Sequence, residues 1–396
     1  MRSLYATIIT VALLAASVAG VTAQDEGQAT TADELISGFV TEEVQPGVYR
    51  VLNDGVRDLR SENEDGKPYD LVAGHDGSVW LFDWPNRSVR LGEEAEYGWG
   101  GSSPEYAVDV TSDGTLWRVD TAGSIGSFDG HTWTERAPAI NSDDRWNMST
   151  LKVGPDGTIW ALAMKGGPGC SNPIRDECRH TALISLSDDL PPTTTRGWSD
   201  IYKEPVASDA LAVSPDGEVW LMGVRGTETS GDVQALLSYD GQDWHVVEVP
   251  GGRLYNAWAG QSFDIGPDGT MWAAHESGRG LARLDESGWT VFTEADGVRP
   301  WGTQGFIPTD HLHAAADGSV WVNAEGAGSS CGGVANFDGS TWTGYLTELC
   351  VDDLDIAPDG AVWVRASTYE TRGGFGYWNL SDLYVITPEA GVPSAP

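Results

Sequence analysis

Three histidines in this chain have neighbours and spacing suited to acid–base chemistry. His311 and His313 are separated by one residue, so on a β-strand their imidazoles would lie on the same side. His275 is followed directly by Glu276, which pairs an imidazole with a carboxyl group. The chain has no His-Glu-x-x-His or phosphate-loop pattern, and the sequence leaves the identity of any catalytic residue unknown.

Aromatic side chains offer a second kind of chemistry, because their flat rings stack on sugars, peptides and aromatic ligands. The chain has 18 Trp, of which seven belong to a repeated sequence frame and six more fit other strand positions. We predict a ligand site on long connecting loops, made of Arg145, Trp146, Tyr255, Trp258, His275, Trp301 and His311. Its partner would be a carbohydrate, a peptide, a small aromatic ligand or a protein. The alternative is that these loops fold back and bury their own aromatics in small separate cores.

The repeated frame, Asp-Gly-x-x-Trp, must position these residues. Its seven copies start at Asp76, Asp113, Asp156, Asp216, Asp268, Asp317 and Asp359. They are 37 to 60 residues apart and lie among short alternating apolar runs. Such a repeat is typical of a β-propeller with one blade per copy. We therefore predict an all-β, seven-bladed propeller with four-stranded antiparallel blades.

Each copy predicts the turn between the first and second strands of a blade. Glycine accepts the positive φ of the turn, and aspartate caps it. The tryptophan then falls on the second strand, where it would pack between blades. The last blade is irregular, and we assign residues 375–378 and 383–386 to its outer strands. Either residues 48–52 or residues 383–386 would close the ring, and the sequence leaves both open.

Strand order predicts which face carries the function. With strands A to D in each blade, the short A–B and C–D turns share one face of the disc. The long B–C and D–A loops share the other, and such loops commonly carry binding residues. The innermost strands would line a central channel with the residues four positions before each turn aspartate, which are Val72, Asp109, Lys152, Ala212, Asp264, His313 and Asp355. Residues of this kind more often bond neighbouring blades than hold a cation, so we predict no metal and no cofactor.

Charge and the first residues bear on the location of the chain. The net charge of −36 repels phosphate backbones and argues against nucleic-acid binding. Residues 1–23 have the Arg2, apolar stretch and Val21-Thr22-Ala23 site of a signal peptide. That stretch is too short for a membrane span. We expect a secreted or periplasmic chain with a flexible lead-in at 24–40, a propeller at 41–388 and a disordered tail at 389–396.

Four cysteines in an exported chain predict two disulfides. Proximity favours Cys170 with Cys178 and Cys331 with Cys350, although two other pairings stay open. A zinc site is the weaker alternative, because no Cys-x-x-Cys pair is present.

The segment Gly266-Pro267-Asp268-Gly269-Thr270-Met271-Trp272, with 281–284 after it, resembles repeats of two-component-regulator-type propellers and of streptogramin lyase. The resemblance covers about residues 70 to 386. The lyase resemblance implies a magnesium-assisted elimination that uses a His and a Glu-x-His pair on the face of the long loops. The nearest features in this chain are His275 and the His311-x-His313 pair. The regulator resemblance implies a sensory ectodomain. Our interpretation is an exported binding or interaction module, with a streptogramin-lyase-like lyase or hydrolase as the alternative.

Overall fold

The fold is known from a computed structural model. It describes residues 39–52, 70–83, 87–92, 96–98, 108–119, 124–137, 146–165, 181–187, 190–195, 206–225, 233–247, 263–275, 280–296, 311–326, 330–372, 375–378 and 382–387. Their strands form seven antiparallel sheets, six of four strands and one of five, together with a separate hairpin. The predicted all-β, seven-bladed propeller is therefore confirmed.

Strands are numbered along the chain. Strands β1 (Thr41–Gln45) and β2 (Val48–Val51) precede the first blade. The first blade is β3 (Asp70–Ala73), β4 (Val79–Asp83), β5 (Arg87–Arg90) and β6 (Glu96–Gly98). The second is β7 (Val108–Val110), β8 (Leu116–Val119), β9 (Ile125–Phe128) and β10 (Trp133–Ala137). The third is β11 (Trp146–Val153), β12 (Ile159–Lys165), β13 (Thr181–Ser187) and β14 (Leu190–Thr195). The fourth is β15 (Val206–Val213), β16 (Val219–Arg225), β17 (Val233–Tyr239) and β18 (Trp244–Val247).

The fifth blade is β19 (Phe263–Ile265), β20 (Met271–His275), β21 (Gly280–Asp285) and β22 (Gly288–Phe292). A short 3-10 turn follows at Glu294–Asp296. The sixth is β23 (Leu312–Ala314), β24 (Val320–Gly326), β25 (Ser330–Phe337) and β26 (Trp342–Tyr345). The remaining strands are β27 (Cys350–Ile356), β28 (Val362–Ser367), β29 (Tyr369–Arg372), β30 (Phe375–Trp378) and β31 (Asp382–Ile386).

The Asp-Gly turns have the chemistry that the sequence predicts. In the fifth blade, the backbone N–H of Gly269 donates to the carbonyl of Gly266 at 2.8 Å, and Gly269 has a φ of 82°. A side chain there would be strained, because L-residues seldom adopt that conformation. The Asp268 carboxylate accepts the Thr270 N–H at 2.9 Å and caps the turn.

The tryptophan of each frame packs against the following blade. Trp272 of the fifth blade has no exposed surface and lies with Leu312, Val320 and Phe337 of the sixth. Trp363 of the seventh blade is equally buried, among residues of the first blade. These interfaces make the apolar core a ring of separate clusters between blades.

The seventh blade corrects two assignments. Its sheet order is β1-β2-β31-β28-β27, so β31 is its third strand and the N-terminal β2 its fourth, with β1 as a fifth. Residues 48–51 and 382–386 thus both close the ring, as neighbours in one sheet, and were not alternatives. The assignment of 375–378 to a blade was wrong, because β30 pairs only with β29 in a hairpin inserted between β28 and β31.

Candidate functional site

The central axis carries the acidic residues that the spacing from the turns predicts. Asp109 of β7 accepts the backbone N–H of Val153 in the next blade at 2.8 Å. Asp264 of β19 accepts the Ala314 N–H at 3.0 Å. Asp355 of β27 accepts the Ala73 N–H at 2.9 Å. These carboxylates therefore join the inner strands of neighbouring blades, the structural role that the sequence favoured.

Lys152 of β11 lies among these acids. Burial opposes its charge, but Asp109, Asp264 and Asp355 together outweigh that effect and raise the pKa of Lys152. The lysine stays charged at neutral pH as the shared counterion of three carboxylates from three other blades. An axial group is thus formed only when the ring is complete.

Asp355 and His313 titrate abnormally within this axial group. Burial raises the pKa of Asp355 to about 7, although Lys152 and two backbone N–H donors oppose the shift. Burial, together with the Lys152 charge, holds the pKa of His313 well below its usual range. The Nδ1 of the neutral His313 lies 3.5 Å from an Asp355 oxygen. The middle of the axis therefore holds a carboxyl group that changes protonation state near neutral pH.

A second layer lies two residues earlier on two strands, toward the long loops. The Nδ1 of His311 lies 3.1 Å from an Asp353 oxygen, and Asp353 also accepts the Leu71 N–H at 2.6 Å. Burial raises the pKa of Asp353, and the charge of Arg365 opposes this rise. Arg365 is 4% exposed, and its Nε and Nη1 have no hydrogen-bond partner among the described residues.

The side chain of His311 is 27% exposed and that of His313 is 13% exposed. Of the two axial histidines, the one nearer the long loops is therefore the more accessible. A carboxylate bonded to one imidazole nitrogen fixes the orientation of the ring. The His311–Asp353 pair is the described part of the axis with that arrangement at the loop side.

The structure places the predicted site residues unequally. His311 lies at the axis. Trp146 is the first residue of β11, so its backbone begins the third inner strand on the loop side. Arg145, Tyr255, Trp258 and Trp301 lie outside the described residues.

His275 is the last residue of β20 and is 4% exposed. Its backbone pairs with Gly280, so the strand extends to a position that the sequence assigned to a loop. The imidazole is thus enclosed by the blade.

Sequence reasoning did not select Asp353 and Arg365. Asp353 and Asp355 are separated by one residue, as His311 and His313 are. This spacing places both members of each pair on the same side of a strand, so it could have indicated that Asp353 also faces the axis. Arg365 faces Asp353 across the β27–β28 pair, a relation that only strand register reveals. The described residues contain no group of three or more His, Cys, Asp or Glu placed to hold a metal ion.

Comparisons with solved structures show the same fold. Virginiamycin B lyase from Staphylococcus aureus, in a catalytically inactive form with quinupristin, matches with a TM-score of 0.53 at 16% identity, over 83% of this chain and 97% of that chain. A streptogramin B lyase matches with a TM-score of 0.53 at 17% identity, over 83% of this chain and 95% of that chain.

The extracellular domain of a hybrid two-component system from B. thetaiotaomicron matches with a TM-score of 0.52 at 13% identity, over 88% of this chain and 42% of that chain. No protein-family model and no curated protein matches the chain. Among the described residues, no helix has the length and hydropathy needed to cross a bilayer. The chain is thus a β-propeller similar in fold to the streptogramin lyases and to a two-component extracellular domain.

Proposed function

We propose that this chain is an exported binding module whose ligand face is formed by the long B–C and D–A loops. The observation that carries the proposal is the His311–Asp353 contact of 3.1 Å on the loop side of the axis. It gives the bottom of that face a polar group able to donate and accept hydrogen bonds. The aromatic residues of the loops would surround it and stack on the ligand.

The chemistry of this face suits a carbohydrate, a peptide, a small aromatic ligand or a protein surface. Rings supply broad contact area, and the axial imidazole supplies orientation. Farther from the long loops than the His311 imidazole, Lys152 and the axial carboxylates interact electrostatically with one another. They would therefore support the site and leave its specificity to His311 and the loops.

Alanine substitution of Trp146, Trp258 or Trp301 is expected to weaken binding by about 1–3 kcal/mol each, as truncation of interface aromatics does. Arrays of oligosaccharides and peptides would first identify a binding compound, and calorimetry with that compound would then measure each variant. His311→Ala tests the axial contact in the same assay.

Trp289→Ala, on the outer strand of the fifth blade, is the matched control and should leave affinity unchanged. If all three loop variants keep both their affinity and their melting temperature, the proposal that these loop tryptophans contact the ligand is ruled out.

A lyase or hydrolase using the same face is the second candidate, because a carboxylate-bound imidazole is also a general base. Mass spectrometry of quinupristin incubated with the protein and Mg²⁺ separates the outcomes. Ring opening by elimination leaves the mass unchanged, whereas hydrolysis adds one water. If neither product forms above a His311→Ala control, that substrate class is excluded.

We further propose the disulfides Cys170–Cys178 and Cys331–Cys350. Two observations support the second pair. Cys350 is 3% exposed, and the Gly333 N–H donates to the Leu349 carbonyl at 2.9 Å, which brings the two cysteine-bearing segments together. Cys170 and Cys178 lie outside the described residues.

Replacing Cys331 and Cys350 together by serine is expected to lower the free energy of unfolding by about 2–4 kcal/mol. Peptide mapping without reductant should find both predicted pairs. Four free thiols, or cross-paired cysteines, would contradict the prediction.

A further inference from the structure

Two blades carry a buried polar residue on the second strand where the other five have an apolar one. The position lies two residues after the frame tryptophan. In the first five blades its occupants are Phe82, Val119, Leu162, Met222 and Ala274. The sixth and seventh blades have Asn323 and Arg365 there, and these residues are 1% and 4% exposed. Burying a guanidinium is costly, so packing alone does not account for Arg365.

Hydrogen bonds compensate little for the burial of Arg365. Its Nε and Nη1 have no hydrogen-bond partner among the described residues. On one side it pairs with Leu383, which belongs to the apolar cluster between the seventh and first blades. An unpaired buried group of this kind lowers stability. A contribution to stability therefore does not explain why the chain places a guanidinium here.

On its other side Arg365 lies directly opposite Asp353 in the β27–β28 pair. Directly opposed residues of two antiparallel strands place their side chains close together on one face of the sheet. Among the described residues, however, no hydrogen bond or ion pair joins these two side chains. Arg365 thus acts on Asp353 through its charge, in a buried region where charges are weakly screened.

The Asp353 carboxylate has hydrogen-bond donors of its own. One oxygen accepts the Leu71 N–H at 2.6 Å, and the other accepts the Leu354 N–H at 2.9 Å. The Nδ1 of His311 lies 3.1 Å from that second oxygen. These contacts fix the position of the carboxylate without Arg365, so the effect left to the guanidinium is electrostatic.

Several charged or titratable groups surround Asp353. Burial raises its pKa to about 6, the charge of Arg365 is the largest effect that opposes this rise, and the neighbouring Asp352 adds to it. His311 faces the carboxylate from the sixth blade. The axial layer farther from the long loops contributes Lys152, His313 and Asp355. Without Arg365, burial would leave Asp353 protonated at neutral pH, and the His311 imidazole would lose its anionic partner.

We propose that Arg365 is a positioning residue of the ligand face, which keeps Asp353 ionised and so keeps an anion beside the His311 imidazole. It acts through Asp353 and does not touch the ligand. The carboxylate in turn orients the imidazole and raises its affinity for a proton. The consequence for binding rests on the proposed function, whereas the electrostatic effect is a property of the chain alone.

NMR of the full chain labelled with carbon-13 in its histidines tests the proposal without a ligand. The chain has seven His, and His311→Gln assigns the His311 signal. In Arg365→Met we expect the titration midpoint of the His311 imidazole to fall by about one pH unit, because Asp353 then stays protonated. Arg136→Met is the matched control, since it removes the same charge from the outer strand of the second blade, and it should leave the midpoint unchanged.

Asp353→Asn separates an effect through Asp353 from a direct one. In that background Arg365→Met should not lower the His311 midpoint, because no carboxylate remains to be neutralised. A midpoint unchanged by Arg365→Met, or lowered as much in the Asn background or by Arg136→Met, would overturn the proposal. Arg365→Gln replaces the methionine variant if that variant does not fold, and the comparison with Arg136→Met decides the matter if the Asn variant does not.

The titration uses no ligand, so its result is independent of whether the face binds one. A lowered midpoint in a protein that binds none of the arrayed compounds would contradict the proposed function alone. An unchanged midpoint in a protein that binds one of them would contradict only the role of Arg365.

Discussion

Replacing Trp272 by alanine is expected to lower the free energy of unfolding by about 3–5 kcal/mol. The indole is fully buried between the fifth and sixth blades, where it stacks on Phe292 at 5.5 Å and meets Phe337 edge-on at 5.9 Å. Its removal leaves a cavity that rigid sheets on both sides cannot collapse, and it leaves the Gly318 carbonyl without its donor. Urea unfolding followed by circular dichroism would measure the loss.

Trp220→Ala is the matched control, since it removes the same residue from the same position of another blade. Trp220 is partly exposed beside an existing cavity, so its loss should cost clearly less than that of Trp272. Equal losses would show that burial between blades does not determine the contribution of the frame tryptophans.

Lys152→Met is expected to destabilise the fold by about 3–5 kcal/mol at pH 8, because it leaves buried carboxylates without their counterion. Asp109, Asp264 and Asp355 would then repel one another across the axis. The loss should be smaller at pH 5.5, where Asp355, whose pKa is about 7, carries a proton. Urea unfolding at both pH values measures the difference.

The sign of this pH dependence follows from linkage. Asp355 has a higher pKa in the fold than when unfolded, so its contribution to stability is greatest at low pH and declines as pH rises from about 4 to about 7. His313 acts oppositely, because its depressed pKa in the fold costs stability as pH falls below about 6.5.

Asp355→Asn in the Lys152→Met background should restore much of the loss at pH 8 and little of it at pH 5.5. A loss independent of pH, or no rescue by asparagine, would show that Lys152 acts through packing and not through charge.

The fold was predictable to the extent that its determinants are local. The glycine of each turn and the tryptophan three residues later act within a few residues of each other, so one chain segment displays both. The strand composition of the seventh blade was not predictable, because residues 375–378 and 382–386 both have sequences typical of strands. Only pairing between Val48 and Ile386, far apart in the chain, distinguishes them.

The axial group was predictable in part for the same reason. The count from each turn aspartate placed Asp109, Lys152, Asp264, His313 and Asp355 at one level. Arg365 was missed because its relation to Asp353 passes across two strands. The burial of His275 also depends on register, since its partner Gly280 comes after a connecting segment. The platform of loop aromatics remains a prediction.

The shared seventh blade makes the order of synthesis matter. Strand β2 is synthesised before the first blade, yet its partner β31 is made more than 300 residues later. Throughout that interval β2 has an unpaired edge, and the first blade lacks the neighbour that covers Leu71 and Val79. A nascent chain of six blades is therefore an incomplete ring with an exposed blade surface at each end. Such a surface could pair with another incomplete chain as readily as with the last strands of its own chain. If the chain is exported before it folds, as proposed, closure of the ring is postponed until β2 and β31 are on the same side of the membrane.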